Sequence, residues 1–217
     1  MIPARKQIPA EWIFTPYLKR LYRSHFHRLR LLGEAPPQDP EVPLLIVPNH
    51  NTWWDGFFVY TLNKELLHRR LYMMMLAEQL SRYRFFSRLG AYGINPGSRS
   101  SVLQSIDYTC DLLKQPDTAV CLFPQGDLTP FGTALRYQRG LDWILKRHQG
   151  SVDLLPLSMR CEYLQHRRAE VFFLFDEVQR VTSDTFQGIE WLQKREQALL
   201  DALVKAIRDG SEGNFLL

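Results

Sequence analysis

The chain has 217 residues, of which 45% are hydrophobic and 23% are charged, and its formal net charge is +4. This length suits one α/β domain with a sizeable core, and the composition excludes a disordered chain, a collagen-like repeat and a coiled coil. The longest apolar runs, such as residues 171–175, fall far short of the roughly 20 residues that a membrane-spanning helix needs. We therefore expect neither a membrane span nor a signal peptide.

The three cysteines, Cys110, Cys121 and Cys161, are odd in number and widely spaced. Two of them lie in segments that read as buried strand or helix, so we expect reduced thiols in a cytosolic setting. Their spacing does not support a zinc site. We expect no metal and no resident cofactor.

Residues 11–32 predict a basic amphipathic helix. Apolar residues such as Trp12 and Tyr17 recur at helical spacing, with arginines such as Arg20 and Arg28 between them. Such a helix can pack on the domain with a solvated basic face, or it can lie among anionic lipid headgroups as an interfacial anchor. Its aromatic content favours the membrane. We treat residues 1–34 as an N-terminal helical segment.

The main domain is predicted to span residues 41–217, after a Pro-rich connector at residues 35–40. Its first element is an apolar strand at residues 43–47, which delivers His50 to a loop. The pattern then predicts strands at 71–76, 118–123, 152–159 and 170–175, and helices at 54–67, 78–89, 100–114, 133–148 and 187–208.

This alternation of short apolar strands with helices predicts a single α/β domain whose mostly parallel sheet is flanked by helices. In such sheets ligands usually bind at the carboxyl ends of the strands. His50 would lie at this edge, and so would the turn formed by Phe123, Pro124, Gln125 and Gly126.

His50 and Asp55 form the pattern that carries chemistry. His50 follows a strand and Asp55 opens the next helix, so the carboxylate can fold back onto one imidazole nitrogen while the other faces outward as a general base. The carboxylate would fix the tautomer and stabilise the imidazolium, as the third member of a serine triad does. A substrate hydroxyl can then attack an acyl thioester directly. We assign no role to the other five histidines.

The segment from His50 to Asp55 resembles the first block of the glycerolipid acyltransferases typified by 1-acyl-glycerol-3-phosphate acyltransferase, a histidine and an aspartate separated by four residues. Residues 123–126 are similar to the start of that family's Phe-Pro-Glu-Gly-Thr-Arg block. Residues 137–140 are similar to its Phe-Lys-x-Gly stretch, and residues 155–157 to its fourth block. The resemblance covers roughly residues 43–160. It implies a glycerol-3-phosphate acyltransferase-like fold, with His50 as base and Asp55 as its partner.

Two blocks depart from the family's pattern. The second block, Gly-x-x-Phe-x-x-Arg, falls on residues 90–96 and ends in Pro96 instead of arginine, while Gln125 and Leu128 replace the glutamate and arginine of the third. In the family these positions hold the glycerol-phosphate acceptor. Arg99 and Asp127 are possible substitutes, and Gln125 can alternatively serve only to cap the turn. The resulting candidate substrate-binding residues are Gly93, Arg99, Phe123, Pro124, Gln125, Gly126, Asp127 and Arg139.

The resemblance implies an O-acyltransferase that moves a fatty acyl group from acyl-CoA or acyl-ACP to a hydroxyl of a lysophospholipid-type acceptor, with lysophosphatidate as the family's default. The altered blocks leave open a non-phosphorylated acceptor such as a glycolipid or a glycosylated terpenoid. A third alternative is a non-catalytic membrane-binding module, although the intact His50 and Asp55 argue against it.

The same resemblance, with the basic helix, implies a location at the cytoplasmic face of a membrane, peripheral or monotopic. The expected partners are the lipid surface and acyl-CoA or an acyl carrier protein. We expect no nucleic-acid partner.

Overall fold

The computed structural model describes residues 1–216, and this part of the chain has nine strands and seven α-helices. The strands are β1 (Phe26–Leu31), β2 (Leu44–Pro48), β3 (Arg70–Leu76), β4 (Ala91–Ile94), β5 (Thr118–Cys121), β6 (Val152–Glu162), β7 (Ala169–Phe175), β8 (Gln179–Val181) and β9 (Asn214–Phe215). The helices are α1 (Ile8–His25), α2 (Asp55–Leu62), α3 (Ala77–Arg82), α4 (Phe85–Leu89), α5 (Arg99–Leu112), α6 (Gly140–Arg147) and α7 (Ile189–Arg208). A π-helical turn, Asn63–Leu67, extends α2.

All nine strands of this part of the chain join one sheet, in the order β4-β3-β5-β2-β6-β7-β1-β9, with β8 beside β6. The strands from β4 to β6 pair in parallel, and β1 pairs in parallel with β7. Only β6–β7, β6–β8 and β1–β9 are antiparallel among these described strands. The predicted α/β fold with a mostly parallel sheet is therefore confirmed. We call the edge where β2, β5 and β6 end the carboxyl edge.

Helices cover both faces of the sheet. Successive residues of β2 point to opposite faces, so Leu44 and Ile46 join a core with α1 and α2, while Leu45 and Val47 join a core with α5, α6 and α7. Both faces of β2 are buried along its whole length. This explains why the sequence of β2 is a continuous apolar run and does not alternate between apolar and polar residues.

The predicted helix at residues 11–32 is wrong in its last part. Helix α1 ends at His25, and residues 26–31 form β1, which pairs with β7 through neighbours such as Leu29 and Val171. The backbone hydrogen bonds of the sheet outweigh the helical spacing of these side chains. Phe14, Leu18 and Tyr22 of α1 pack in the same core as β2, so the first 34 residues supply both a strand and core side chains.

Two further helices differ from the prediction. The predicted helix at 78–89 is two short helices, α3 and α4, and the helix predicted at 133–148 begins only at Gly140. Residues 133–138 have no regular secondary structure, and side chains of α7 bind their backbone: Gln197 Oε1 accepts from Leu135 N at 2.9 Å and Gln193 Oε1 accepts from Tyr137 N at 2.9 Å. Local spacing cannot predict such contacts.

The connector at residues 35–40 is fastened by Arg69. Its guanidinium donates to the carbonyl oxygens of Asp39 at 2.7 Å, Pro40 at 3.3 Å, Val42 at 3.4 Å and Pro116 at 2.9 Å. One arginine thereby joins the entry to β2 with the entry to β5.

Among the helices of residues 1–216, none combines the length and the apolar character that a membrane span requires.

Glu196 on α7 is a buried carboxyl group. Ser158 Oγ donates to Glu196 Oε1 at 3.3 Å, while Glu196 Oε2 has no hydrogen-bond partner among the described residues. Burial, which disfavours the charged form, raises the pKa of Glu196 to about 8. The folded protein therefore retains a proton on this group up to slightly alkaline pH.

This pKa predicts a loss of stability as the pH rises. Between the ordinary carboxyl pKa and about 8, the folded chain holds a proton that the unfolded chain has released. The contribution to the free energy of unfolding then falls by about 1 kcal/mol per pH unit. We expect Glu196→Gln to reduce this fall in urea unfolding between pH 6 and 8. The exposed Glu190→Gln on the same helix is the control, and equal pH slopes for both variants would contradict the prediction.

Candidate active site

The loop between β2 and α2 carries both predicted catalytic residues. Asn49 anchors the start of this loop to the end of β6: its Oδ1 accepts from Met159 N at 2.7 Å, and its Nδ2 donates to Met159 O at 2.9 Å. Asp55 is the first residue of α2. The strand and the helix therefore hold the two ends of a short loop at the carboxyl edge.

His50 and Asp55 are in direct contact, with 2.9 Å between His50 Nδ1 and Asp55 Oδ2. With the carboxylate as acceptor, Nδ1 carries the hydrogen and Nε2 keeps a free lone pair. The Asp55 side chain is 4% exposed and that of His50 is 23% exposed, so the pair has a buried and an open end. His50 Nε2 makes no hydrogen bond to any described residue and is the nitrogen available to a substrate.

The carboxylate of Asp55 is held by the loop that it closes. Its Oδ2 also accepts from the backbone N–H groups of Asn51 at 2.7 Å and Thr52 at 2.9 Å. Its Oδ1 accepts from Thr52 Oγ1 at 2.5 Å. With four donors around it, the carboxylate has little freedom to rotate away from His50.

The other wall of the site is the turn after β5. The ring of Phe123 stacks on the imidazole of His50, with 4.1 Å between ring centroids and 27° between planes. Gly126 N donates to Phe123 O at 3.1 Å and closes the turn. Gly126 has a φ of +80°, a left-handed conformation that glycine adopts without strain.

Gln125 lies inside this turn and reaches the backbone of His50. Its Oε1 accepts from His50 N at 2.6 Å, and its Nε2 donates to Thr129 Oγ1. Thr129 N donates to His50 O at 3.0 Å. The residue predicted to bind the acceptor is thus 5% exposed and in contact with the loop that carries His50.

The two tryptophans beside His50 differ. Trp54 packs edge-on against Phe26, with 5.0 Å between ring centroids, and belongs to the core. Trp53 is largely exposed at the rim of the site. One of the pair is therefore structural, and the other faces solvent.

Cys121 and Cys161 lie close enough to Asp55 for its negative charge to raise the pKa of each thiol. Burial first, and then the negative charges of Asp55 and Glu162, raise the pKa of Cys161 to about 12. Burial raises the pKa of Cys121 well above its usual value as well. Both thiols remain protonated at neutral pH, so neither is a competent nucleophile.

Comparison with known proteins bears on this geometry. The family model described as Acyltransferase matches residues 28–160. The chain belongs to the acyltransferase family. The solved structure of the 1-acyl-sn-glycerophosphate acyltransferase PlsC from Thermotoga maritima has a similar fold, with a TM-score of 0.58 over 90% of this chain and 81% of that chain, at 18% sequence identity. A search of curated proteins finds no match.

The acyltransferase fold brings some of the predicted site residues together and separates others. Asp55, Phe123 and Gln125 each contact His50, and Pro124 is buried beside them, with Pro124 O accepting from Gln138 N at 2.7 Å. Gly126 and Asp127 follow on the exposed side of the turn.

Gly93, Arg99 and Arg139 form no hydrogen bond with the side chains of this cluster among the described residues. Gly93 is buried in β4, where a Cβ atom would stand 3.0 Å from Ala77 Cα, so close packing accounts for the glycine. Arg99 begins α5 after β4, and Arg139 precedes α6. Both arginines are exposed.

Sequence reasoning missed three residues that hold the site, namely Asn49, Thr52 and Thr129. Thr52 had a detectable signal, because Thr-x-x-Asp at the start of a helix is a capping pattern. Asn49 and Thr129 had none. Their partners lie 110 and 79 positions away in the sequence, respectively.

One group outside the site could hold a metal ion. Ligand atoms of His27, His166 and Glu170 lie within 4.8 Å of one another. Arg30 Nε already lies 2.5 Å from Glu170 Oε2, so this carboxylate has a cationic partner. We assign the group no role.

The protonated state of the cysteines predicts resistance to alkylation. We expect the folded protein, treated with iodoacetamide at pH 8, to keep Cys161 and Cys121 unmodified, because the thiolate is the reactive species. Mass spectrometry after digestion would measure the modification. Protein unfolded in urea is the control and should react at both positions. Rapid labelling of Cys161 in folded protein would contradict the prediction.

Proposed function

We propose that this protein transfers a fatty acyl group from acyl-CoA or acyl-ACP to a hydroxyl of a lysophospholipid-type acceptor, with His50 as general base. The observation that supports this most directly is the 2.9 Å contact between His50 Nδ1 and Asp55 Oδ2, which leaves Nε2 free at the open end of the pair. A base presented in this way can accept a proton from a bound hydroxyl.

In the proposed reaction, His50 Nε2 takes the proton of the acceptor hydroxyl as its oxygen attacks the thioester carbonyl carbon. The Asp55 carboxylate stabilises the imidazolium that forms. The tetrahedral intermediate then expels the thiolate, the C–S bond breaks, and the imidazolium returns the proton to sulfur. The products are an ester and a free thiol. The protonated state of Cys121 and Cys161 supports direct transfer, without an acyl-cysteine intermediate.

Lysophosphatidate is the first acceptor that we propose. The similarly folded PlsC of Thermotoga maritima is described as an acyltransferase of this lipid. Arg99 and Arg139 are exposed and form no ion pair with other described residues, so either can meet an anionic headgroup. Gln125 is engaged by His50 and Thr129, which leaves phosphate recognition to such arginines.

A non-phosphorylated lipid acceptor is the second proposal. It is supported by Leu128, which stands where the family has an arginine and which is exposed beside the turn. An apolar side chain at this position offers contact to a lipid body but no charge to a phosphate. The two acceptors share the same catalytic chemistry.

We further propose that the protein acts as a peripheral protein at the cytoplasmic face of a membrane, with α1 in contact with lipid. One side of α1 packs on the domain, and the opposite side exposes Trp12, Ile13 and Tyr17 at 73%, 69% and 58%. Arg20 and Arg23 continue this exposed side. Aromatic and basic side chains together suit the interface of an anionic bilayer. Trp53 is likewise exposed beside the active site.

The catalytic proposal is tested with labelled acyl-CoA and acyl-ACP against a panel of lysophosphatidate, lysophosphatidylcholine, a glycolipid and a long-chain alcohol. We expect His50→Ala and Asp55→Asn to lower kcat by about 100-fold or more, because general base catalysis contributes this much. His166→Ala, a substitution in an exposed loop, is the matched control and should retain activity. Full activity of His50→Ala would refute the mechanism, and the preferred acceptor would decide between the two lipid classes.

The membrane proposal is tested by sedimentation with phosphatidylglycerol vesicles. We expect the triple variant Trp12→Ser, Ile13→Ser, Tyr17→Ser to bind about tenfold or more weakly, because it loses three apolar side chains that insert into the interface. Binding of the wild type should also weaken with salt. Trp143→Ser, which alters an exposed tryptophan on α6, is the control. Point variants are preferable to deletion of residues 1–33, which would remove β1. Unchanged binding of the triple variant would place the contact elsewhere.

A further inference from the structure

The backbone of His50 is held on both sides by two side chains from the neighbouring turn. Gln125 Oε1 accepts from His50 N at 2.6 Å. On the carbonyl side, His50 O accepts from Thr129 N at 3.0 Å and from Thr129 Oγ1 at 3.3 Å. Gln125 Nε2 donates to Thr129 Oγ1 and closes a ring of hydrogen bonds. We call Gln125 and Thr129 the Gln–Thr clamp.

We propose that the Gln–Thr clamp is a positioning device for the general base, and that it replaces the carboxylate which the family resemblance predicts at position 125. This inference rests on the proposed function of His50. Gln125 then acts through the backbone of His50 and does not bind the acceptor lipid.

The first argument is the donor and acceptor inventory of the two side chains. A glutamine amide has one oxygen that accepts and one NH₂ group that donates, and a hydroxyl has a single hydrogen to donate. Because the Gln125 amide donates to Thr129 Oγ1, the hydroxyl hydrogen of Thr129 is left for His50 O. Both backbone groups of His50 are satisfied, and every donor in the ring has an acceptor.

A glutamate at position 125 would change this ring. A carboxylate only accepts hydrogen bonds, so it would compete with His50 O for the single hydroxyl hydrogen of Thr129 and could leave His50 O with Thr129 N as its donor. The side chain at this position is also 5% exposed. A negative charge would therefore be buried, which is costly unless a cation pairs with it. A neutral amide at position 125 and a hydroxyl at position 129 suit each other.

The second argument concerns what the clamp does for the imidazole. The peptide groups before and after the His50 Cα atom are both fixed, so the direction of the Cα–Cβ bond is fixed as well. The ring is then held between Asp55 Oδ2 at 2.9 Å and the Phe123 ring at 4.1 Å. A displacement of about 1 Å at a reacting group is enough to cost about 100-fold in rate. The clamp thus affects the orientation of Nε2 without touching the substrate.

The clamp is also tied to the loop of the catalytic pair. Asn51 Nδ2 donates to Thr129 O at 2.7 Å and to the hydroxyl oxygen Thr129 Oγ1 at 3.4 Å, and Asn51 N donates to Asp55 Oδ2 at 2.7 Å. Thr129 therefore contacts Asn51, which follows His50 in the loop and also binds Asp55. Loss of the threonine hydroxyl should loosen the loop more than it changes any acceptor contact.

The experiment compares Gln125→Met, Gln125→Glu and Thr129→Val with the conservative Thr129→Ser. We expect the first three to lower kcat by about 10- to 100-fold while the KM values for donor and acceptor stay within about twofold, because only alignment is lost. Thr129→Ser keeps the hydroxyl and should retain activity. The double variant Gln125→Met, Thr129→Val should be little worse than either single one, since both belong to one network.

Two outcomes would overturn the proposal. A several-fold rise in the acceptor KM with unchanged kcat in Gln125→Met would make Gln125 a substrate ligand. If the single variants Gln125→Glu and Thr129→Val both had wild-type activity, the ring would have no catalytic role.

A second measurement separates this proposal from the proposed function. Amide hydrogen exchange in the peptide that contains residues 49–55 should accelerate in Thr129→Val and remain slow in Thr129→Ser, with β7 as the internal reference. If the wild type transfers no acyl group to any acceptor but exchange accelerates as expected, the proposed function fails and the clamp stands. Unchanged exchange in Thr129→Val would refute the clamp itself.

Discussion

The position of β2 between β5 and β6 is the constraint on which the site depends. Both backbone edges of β2 are paired in parallel, and both its faces are buried, so neither a shift in register nor a rotation is open to it. The residue that follows β2 must therefore emerge at the carboxyl edge. The turn after β5 and the end of β6 emerge at the same edge, and Phe123, Gln125 and Met159 all contact the loop that contains His50.

The loop that contains His50 and Asp55 is held almost entirely by polar contacts that carry no net charge. Apart from the Asp55 carboxylate, the groups involved are backbone amides, hydroxyls and side-chain amides of Asn49, Asn51 and Gln125. Such networks are strong only when every member has a partner. The loop meets this condition because donors and acceptors alternate around it. One histidine nitrogen is left free, and it is the atom that the proposed reaction uses.

The sequence presents two alternatives for helix α1, packing on the domain and contact with a lipid surface, and the structure has a side of the helix that suits each. It packs on the domain through Phe14, Leu18 and Tyr22, and it presents Trp12 and Tyr17 to solvent from the other side. A helix that is apolar on two opposite sides can bury only one of them against the same domain. The unpaired apolar side next to a basic stretch is the physical basis for proposing contact with a lipid surface.

The sequence by itself determined the contact between His50 and Asp55, the turn at residues 123–126 and the alternation of strands and helices. These features depend on contacts between residues close in the chain, such as the five-residue step from His50 to Asp55. The tertiary structure decided that residues 26–31 form a strand, because their partners are in β7. It also decided that Gln125 contacts His50 and Thr129. That contact joins positions 75 residues apart, and the direction of a side chain across such a distance depends on how the strands pair.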